Sequence, residues 1–302
     1  MKKQSLFISA LIGLVVFALC SACNKTEVTG LQTETVTMND SAKYASLKLT
    51  VELPVGSDEV STAIRQRLVE VLGERLTHIT SYEGEQFYAP FNGNSDDADA
   101  MTAYYLKATL ALMDSLSMGD ATDRIRYIQE DKELTDAEKE QNIASIPGWE
   151  YDYQLQLVTD TTNYAVFLSQ DYLYMGGAHG GVGGDGYLTF DKQTGVLVEQ
   201  FLDTACVAKI QPLLVEGLIS YFSDNGESMT EEALFDVLQI EGQQIPLPVL
   251  APYPTKDGLV FIYQQYEIAS YAAGMPSFTI PYDKLLPYLT PEARKIFGIE
   301  LN

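Results

Sequence analysis

The chain has 302 residues, 46% hydrophobic and 20% charged, enough to bury the core of one large domain or two smaller ones. Its 42 acidic and 19 basic residues give a formal net charge of -23, which disfavours nucleic acid and anionic lipid headgroups and steers cationic partners inward. Acidity of this kind also keeps an exported protein soluble.

Residues 1–22 read as a lipoprotein signal peptide. Lys2 and Lys3 precede an apolar run from Leu6 to Leu19, and the small residues Ser21 and Ala22 stand before Cys23. Cys23 is the expected lipidation site, although Cys20 stands where Leu, Val or Ile is usual. The apolar run is shorter than the roughly 20 residues needed to span a bilayer. Asn24 is not the Asp of inner-membrane retention, so the expectation is an outer-membrane lipoprotein of the cell envelope, facing the periplasm or the cell surface. Contact with the membrane would be through the lipid anchor only. Of the three cysteines, Cys206 alone is left free, and its apolar neighbours at helical spacing predict a buried thiol.

Residues 23–42, rich in Thr, Glu and Asn and without a period, read as a flexible tether. The segment 43–148 reads as a strand and helix followed by a helical insertion. Leu47, Leu49, Val51 and Leu53 alternate with polar residues, and Val60, Ile64, Leu68, Val71, Leu72 and Leu76 form a helical stripe opened by Ser57, Asp58 and Glu59. A loop over Gly84 to Asp99 leads to a helix from about Ala98 to Ser117. A second, charged helix runs from about Thr122 to Ala144 and stops at Pro147-Gly148.

The segment 149–302 reads as the C-terminal domain, packed with the N-terminal region as one body. Trp149, Tyr151, Tyr153, Leu155 and Leu157 alternate with polar partners, Tyr164 to Leu168 forms the next strand, and a glycine-rich loop follows. Tyr187 to Asp191 and Val196 to Phe201 pair across the turn Lys192 to Gly195. Helices are expected over about Val207 to Phe222 and after a Thr230 cap, strands at Leu259 to Tyr263 and Ser277 to Ile280, and short helices near Tyr282 to Tyr288 and Pro291 to Phe297. Strands and helices come in blocks, which predicts an α+β fold with mainly antiparallel sheet packed with several helices.

The glycine-rich segment runs from Gly176 and Gly177 through His179 to Asp185 and Gly186, with seven glycines in eleven residues, so backbone can approach something closely there. Gly180 to Leu188 fits one copy of a calcium-binding repeat, but such repeats bind by stacking several turns. A phosphate cradle needs a following helix, and strand-like Tyr187 to Phe190 follows instead. His179 has only distant His78 for company, so no zinc site is expected, and the bland alternative is a histidine held by backbone hydrogen bonds. Asp96, Asp97 and Asp99 read as a solvated face, and no serine or cysteine nucleophile motif is present. No cofactor and no catalytic residue is expected.

The run from Gly258 to Gly274, containing Tyr266, Glu267, Ile268 and Tyr271, joins Gly176-Gly177-Ala178-His179 and the Phe190-Asp191 to Thr194-Gly195 turn as a recurring set. With these motifs the stretch from Trp149 to Tyr288 resembles an extracytoplasmic domain family of unknown function. That family includes the outer portion of a lysozyme-sensing anti-sigma factor and the non-catalytic region of certain peptidoglycan deacetylases. The resemblance implies an α+β envelope module without catalytic residues. The chain departs from both relatives in showing no sigma-binding segment and no deacetylase region. Tyr266, Ile268 and Tyr271 can equally fill a core, Gly274 can make a turn, and Glu267 can accept from a backbone donor. The expected function is a non-enzymatic envelope binding protein that captures a basic protein such as lysozyme, or else a peptidoglycan fragment. The alternative is a hydrolase in which His179, Asp185 and Glu267 gather near the glycines.

Overall fold

A computed structural model of the chain describes residues 30–80, 84–177, 179–223 and 229–299. The leader and Cys23, with their lipoprotein reading, lie outside the described residues.

The first strand, β1 (Thr33–Ser41), takes up 9 residues of the stretch expected to be a tether. It pairs antiparallel with β2 (Ala45–Pro54), Val36 opposite Val51, and Val36 is buried. The physical reason is edge placement. With one polar face in water, β1 needs only a few apolar contacts, so polar residues dominate its composition. In β2 the residues Leu47, Leu49, Val51 and Leu53 are all buried, as their alternation demands. Helix α1 (Glu59–Thr77) is capped by Asp58, whose carboxylate accepts from Ser61 N at 2.9 Å, and it lays Ile64, Leu68, Leu72 and Leu76 on the sheet.

The two helices expected between residues 98 and 144 are divided elsewhere. Helix α2 (Ala98–Glu130) is continuous for 33 residues, and α3 (Asp136–Ala144) follows behind a capping box of Thr135 and Glu138. Gly119 does not break α2, because no residue there is excluded from helical backbone and Met113, Ser117 and Ala121 hold that face against the protein. The acidic loop before α2 is employed rather than merely solvated. Asp97 caps the helix by accepting from Ala100 N at 2.9 Å, and Asp96 pairs with the buried Arg65 at 2.7 Å.

Strand β3 (Trp149–Asp160) pairs parallel with β2, and β4 (Tyr164–Tyr174) and β5 (Gly181–Asp191) add antiparallel, giving the order β1-β2-β3-β4-β5. Strands on both sides of the expected boundary at 148/149 therefore share one sheet and one core, which runs from Val36 to Phe190. The glycine-rich stretch expected to be a loop is mostly β5. The register shifts between Ser169 and Asp171, where β4 and β5 part by a bulge.

After a turn in which Gly195 N donates to Asp191 O at 2.7 Å, the expected return strand is reduced to a bridge between Phe190 and Leu197. A second core starts at Val198. It is built by α4 (Val207–Ser223), α5 (Glu231–Val237), the small antiparallel sheet β6 (Tyr253–Pro254), β7 (Leu259–Ile262) and β8 (Ser277–Ile280), and the closing helices α6 (Tyr282–Leu285) and α7 (Pro291–Phe297). Thr230 caps α5 as expected, accepting from Ala233 N. Among the described residues one helix, Thr204–Ser223, is apolar and long enough to cross a membrane. Here its Ile210, Leu214 and Leu218 are buried in the second core, and the free Cys206 in its first turn is buried too. The whole is an α+β fold with mainly antiparallel sheet.

Candidate functional site

Where the end of the five-stranded sheet meets the segment after β7, an open groove of ≈ 580 Å³ is lined by the facing ends of β4 and β5 and by residues from three further places. The β4–β5 connection gives Met175, Gly177, His179 and Gly180, the last turn of α1 gives Arg75, and the turn after β7 gives Gln265, Tyr266 and Tyr271.

The glycines make this approach possible by leaving side-chain space to others. A Cβ on Gly180 would run into the Tyr172 ring, and one on Gly183 would stand 2.5 Å from Arg75 Nη2 and 3.2 Å from Asp171 Oδ1. Gly184 has φ 118°, and a Cβ there would strike the Ser169 carbonyl across the bulge. No alternation of apolar and polar residues can mark such a strand, because its neighbours' side chains cross it.

One wall is aromatic. The His179 ring stacks on Tyr271 with centroids 3.8 Å apart and planes 21° apart, and Tyr266 lies 5.7 Å from Tyr271. Gly180 O accepts from the Tyr271 hydroxyl at 3.0 Å and lies 3.0 Å from His179 Nδ1, so the assigned tautomer carries its proton on that nitrogen. This is the backbone-held histidine weighed above. Tyr266 is 61% exposed and has a left-handed backbone at φ 65°, a conformation that is strained for an aromatic residue.

The floor is ionic. Asp171 is 5% exposed and accepts through Oδ1 from both Arg75 Nε, at 2.7 Å, and Arg75 Nη2. Burial raises the Asp171 carboxyl above its ordinary range, and the adjacent guanidinium only partly opposes this. For Arg75, burial pulls the pKa down, and Asp171, Tyr151 and Asp185 together outweigh it, so the net shift is upward. Tyr151 is fully buried beside the couple, and burial pushes its hydroxyl well up, with Asp171 adding to the rise and Arg75 opposing it. Gln265 closes the outer edge of β5 by accepting from Val182 N at 3.1 Å.

Of the residues expected from sequence, Gly177, His179, Tyr266 and Tyr271 meet in the groove. Gly176 borders it with φ 72° and accepts from Arg124 Nη1 at 2.8 Å. Asp185, Glu267 and Gly274 do not line it. Asp185 accepts from Ser169 Oγ at 2.8 Å, and Ser169 in turn meets Tyr153. Glu267 accepts from Val249 N at 2.7 Å and Gln264 N at 2.6 Å, which uses both its oxygens to hold the proline-rich segment against the turn. Gly274, at φ 74°, ends the 3-10 turn Tyr271–Ala273. The three residues that the hydrolase alternative gathers near the glycines each hydrogen-bond other groups, His179 with Gly180 O, Asp185 with Ser169, and Glu267 with Val249 N and Gln264 N. Among the described residues the His179 ring has no carboxylate partner, and no three metal-ligating side chains gather.

Sequence reasoning missed Arg75, Asp171 and Gln265. One signal was present: Asp171 stands at an inward position of β4, in step with buried Phe167 and Ser169, where a charge demands a partner.

Residues 247–283 match the model of a protein family of unknown function, DUF3298. Two solved structures of members of that family are similar across nearly the whole chain. One, from Bacteroides fragilis NCTC 9343, has a TM-score of 0.60 and 18% identity over 90% of this chain and 98% of its own. The other, from Pseudomonas aeruginosa PAO1, has a TM-score of 0.52 and 16% identity over 87% and 96%. At such identity the likeness is one of fold. No curated protein matches the chain. The matched stretch contains β7, β8, Tyr266 and Tyr271, so two of the three rings of the groove's aromatic wall fall within it.

Proposed function

We propose that this chain is a non-enzymatic, lipid-anchored binding protein of the cell envelope, with the groove as its ligand face. The observation that carries the reading is the open aromatic wall of His179, Tyr271 and strained, exposed Tyr266. Strain and exposure in one aromatic side chain are costs that a ligand contact would repay. The resemblance to the outer portion of the lysozyme-sensing anti-sigma factor, together with the net charge of -23, favours a basic protein such as lysozyme as the captured partner. Lipid attachment at Cys23 would hold the chain at the outer membrane. A second reading has an observation of its own: flat rings on an open face suit the apolar side of a sugar, so a peptidoglycan fragment is the alternative ligand.

Mapping by substitution tests the groove. Tyr266→Ala keeps the left-handed turn but removes the ring, and it is expected to weaken ligand binding about tenfold or more. Tyr127→Ala, equally exposed but on α2, should leave binding unchanged. Equal affinities for the two variants in a calorimetric titration would place the ligand elsewhere.

A further inference from the structure

We infer that the free edge of β1 is a docking edge for an extended basic peptide segment of a partner protein, which joins the five-stranded sheet as a further strand. This surface is separate from the groove and stands whether or not the groove takes a ligand.

The main chain identifies the edge. Ala42 N donates to Ala45 O at 2.8 Å and Val55 N donates to Gln32 O at 3.0 Å, both in the register of the β1–β2 pair. Bonds to β2 therefore fall on the even-numbered residues of β1, and the N–H and C=O groups of Thr33, Thr35, Thr37 and Asn39 point away from the sheet. Among the described residues these groups meet no hydrogen-bond partner, whereas Ser41 N is taken by its neighbour Asp40 Oδ1 at 2.8 Å. Thr35, Thr37 and Asn39 are exposed. Edges of this kind are usually blunted by lysine, proline or a bulge. β1 has none of the three, and its nine residues pair with β2 without a shift of register.

The charge on the edge selects the occupant. Glu34 and Asp40 are exposed on one face of β1, with buried Val36 and half-buried Met38 between them. A second copy pairing antiparallel about Thr37, the register that uses the whole strand, would set Glu34 directly opposite the other copy's Asp40 at both ends. Like charges so placed are destabilising. A strand with Lys or Arg opposite Glu34 and Asp40, and small apolar residues opposite Val36 and Met38, turns the same four positions into attractions. Main-chain bonds then hold the strand and the alternate side chains select it.

The experiment uses the end-blocked heptapeptide Lys-Thr-Val-Thr-Val-Thr-Lys, titrated into the isotopically labelled exported chain with Cys23→Ser in about 0.15 M salt. In an antiparallel ladder its threonine nitrogens face β1 and its valine nitrogens face water. The expected result is saturable shifts of the Thr35, Thr37 and Asn39 amide signals. N-methylation of the central threonine, which leaves the charge unchanged, should weaken binding about tenfold or more, and N-methylation of one valine should change it less than about twofold. Replacing both lysines of the peptide by Glu should abolish binding. In the protein, Thr37→Pro removes an outward donor without removing a β1–β2 bond, so it should weaken the parent peptide as the threonine methyl does. No binding of the parent peptide, or equal binding of the two methylated forms, would overturn the docking edge. Equal binding of the Glu peptide would overturn the basic partner, and a dimer of the chain alone that Thr37→Pro dissociates would give the edge to a second copy. If Thr37→Pro melts early, the methylated pair on the unmodified chain decides.

Discussion

At the residue scale, the glycines of β5 and of the connection before it are not interchangeable. Gly184 combines φ 118° with the Ser169 carbonyl where a Cβ would be, whereas Gly177 has nothing within 4 Å of the same point. Gly184→Ala is expected to cost more than about 2 kcal/mol, because both backbone strain and a clash with backbone must be relieved. Gly177→Ala should stay within about 0.5 kcal/mol of the parent. Urea midpoints at constant slope measure both, and equal midpoints would contradict the close-approach account. The sequence showed that glycines were needed here but not what they approach. Tyr172, Arg75 and the Ser169 carbonyl are brought in by long-range pairing that no local pattern records.

At the scale of elements, most helices and strands were legible because their patterns are local. The alternation of β2, the stripe of α1 and the Thr230 cap each lie within a few residues of the element they define, whereas the Thr135 cap that separates α3 from α2 lies inside a stretch that reads as one helix. What was missed depended on partners far along the chain. Strand β1 reads as a tether because an edge strand with one wet face carries little apolar signal, and only pairing with β2 gives Val36 a core to enter. The parallel pairing of β2 with β3, across roughly a hundred residues of helix, was equally invisible and moves the division between cores to about Val198. Removing residues 30–42 should therefore lower stability by at least about 2 kcal/mol, from loss of Val36 burial and the β1–β2 ladder, and should expose the β2 edge to self-association. Thermal melting and light scattering would check this, and an unchanged melt would return the segment to the status of a tether. The candidate site divided in the same way. His179, Tyr266 and Tyr271 stood out by residue type, whereas Arg75 and Asp171 are ordinary in sequence and meaningful only once α1 crosses the end of β4.

For the whole molecule, charge and buried tyrosines make separate predictions. Burial raises the hydroxyl pKa of Tyr88, Tyr151, Tyr153, Tyr253, Tyr263 and Tyr282. An acid whose folded pKa lies above its unfolded value contributes stability that is intact below the unfolded value, about 10 for tyrosine, and is lost as pH rises beyond it. Stability should thus be steady below that pH and fall steeply above it. Of the 19 tyrosines, these six should show tyrosinate absorbance only together with unfolding. Smooth titration of every tyrosine in the folded protein would contradict the burial described for both cores.

The central claim is capture of a ligand by an acidic, lipid-anchored envelope protein. Its most direct test is calorimetric titration of the exported Cys23→Ser chain, β1 included, with a C-type lysozyme at low and at physiological salt. The account predicts saturable binding that weakens as salt screens the -23 surface. A folded chain that gives no heat in either buffer would contradict the capture of this basic protein.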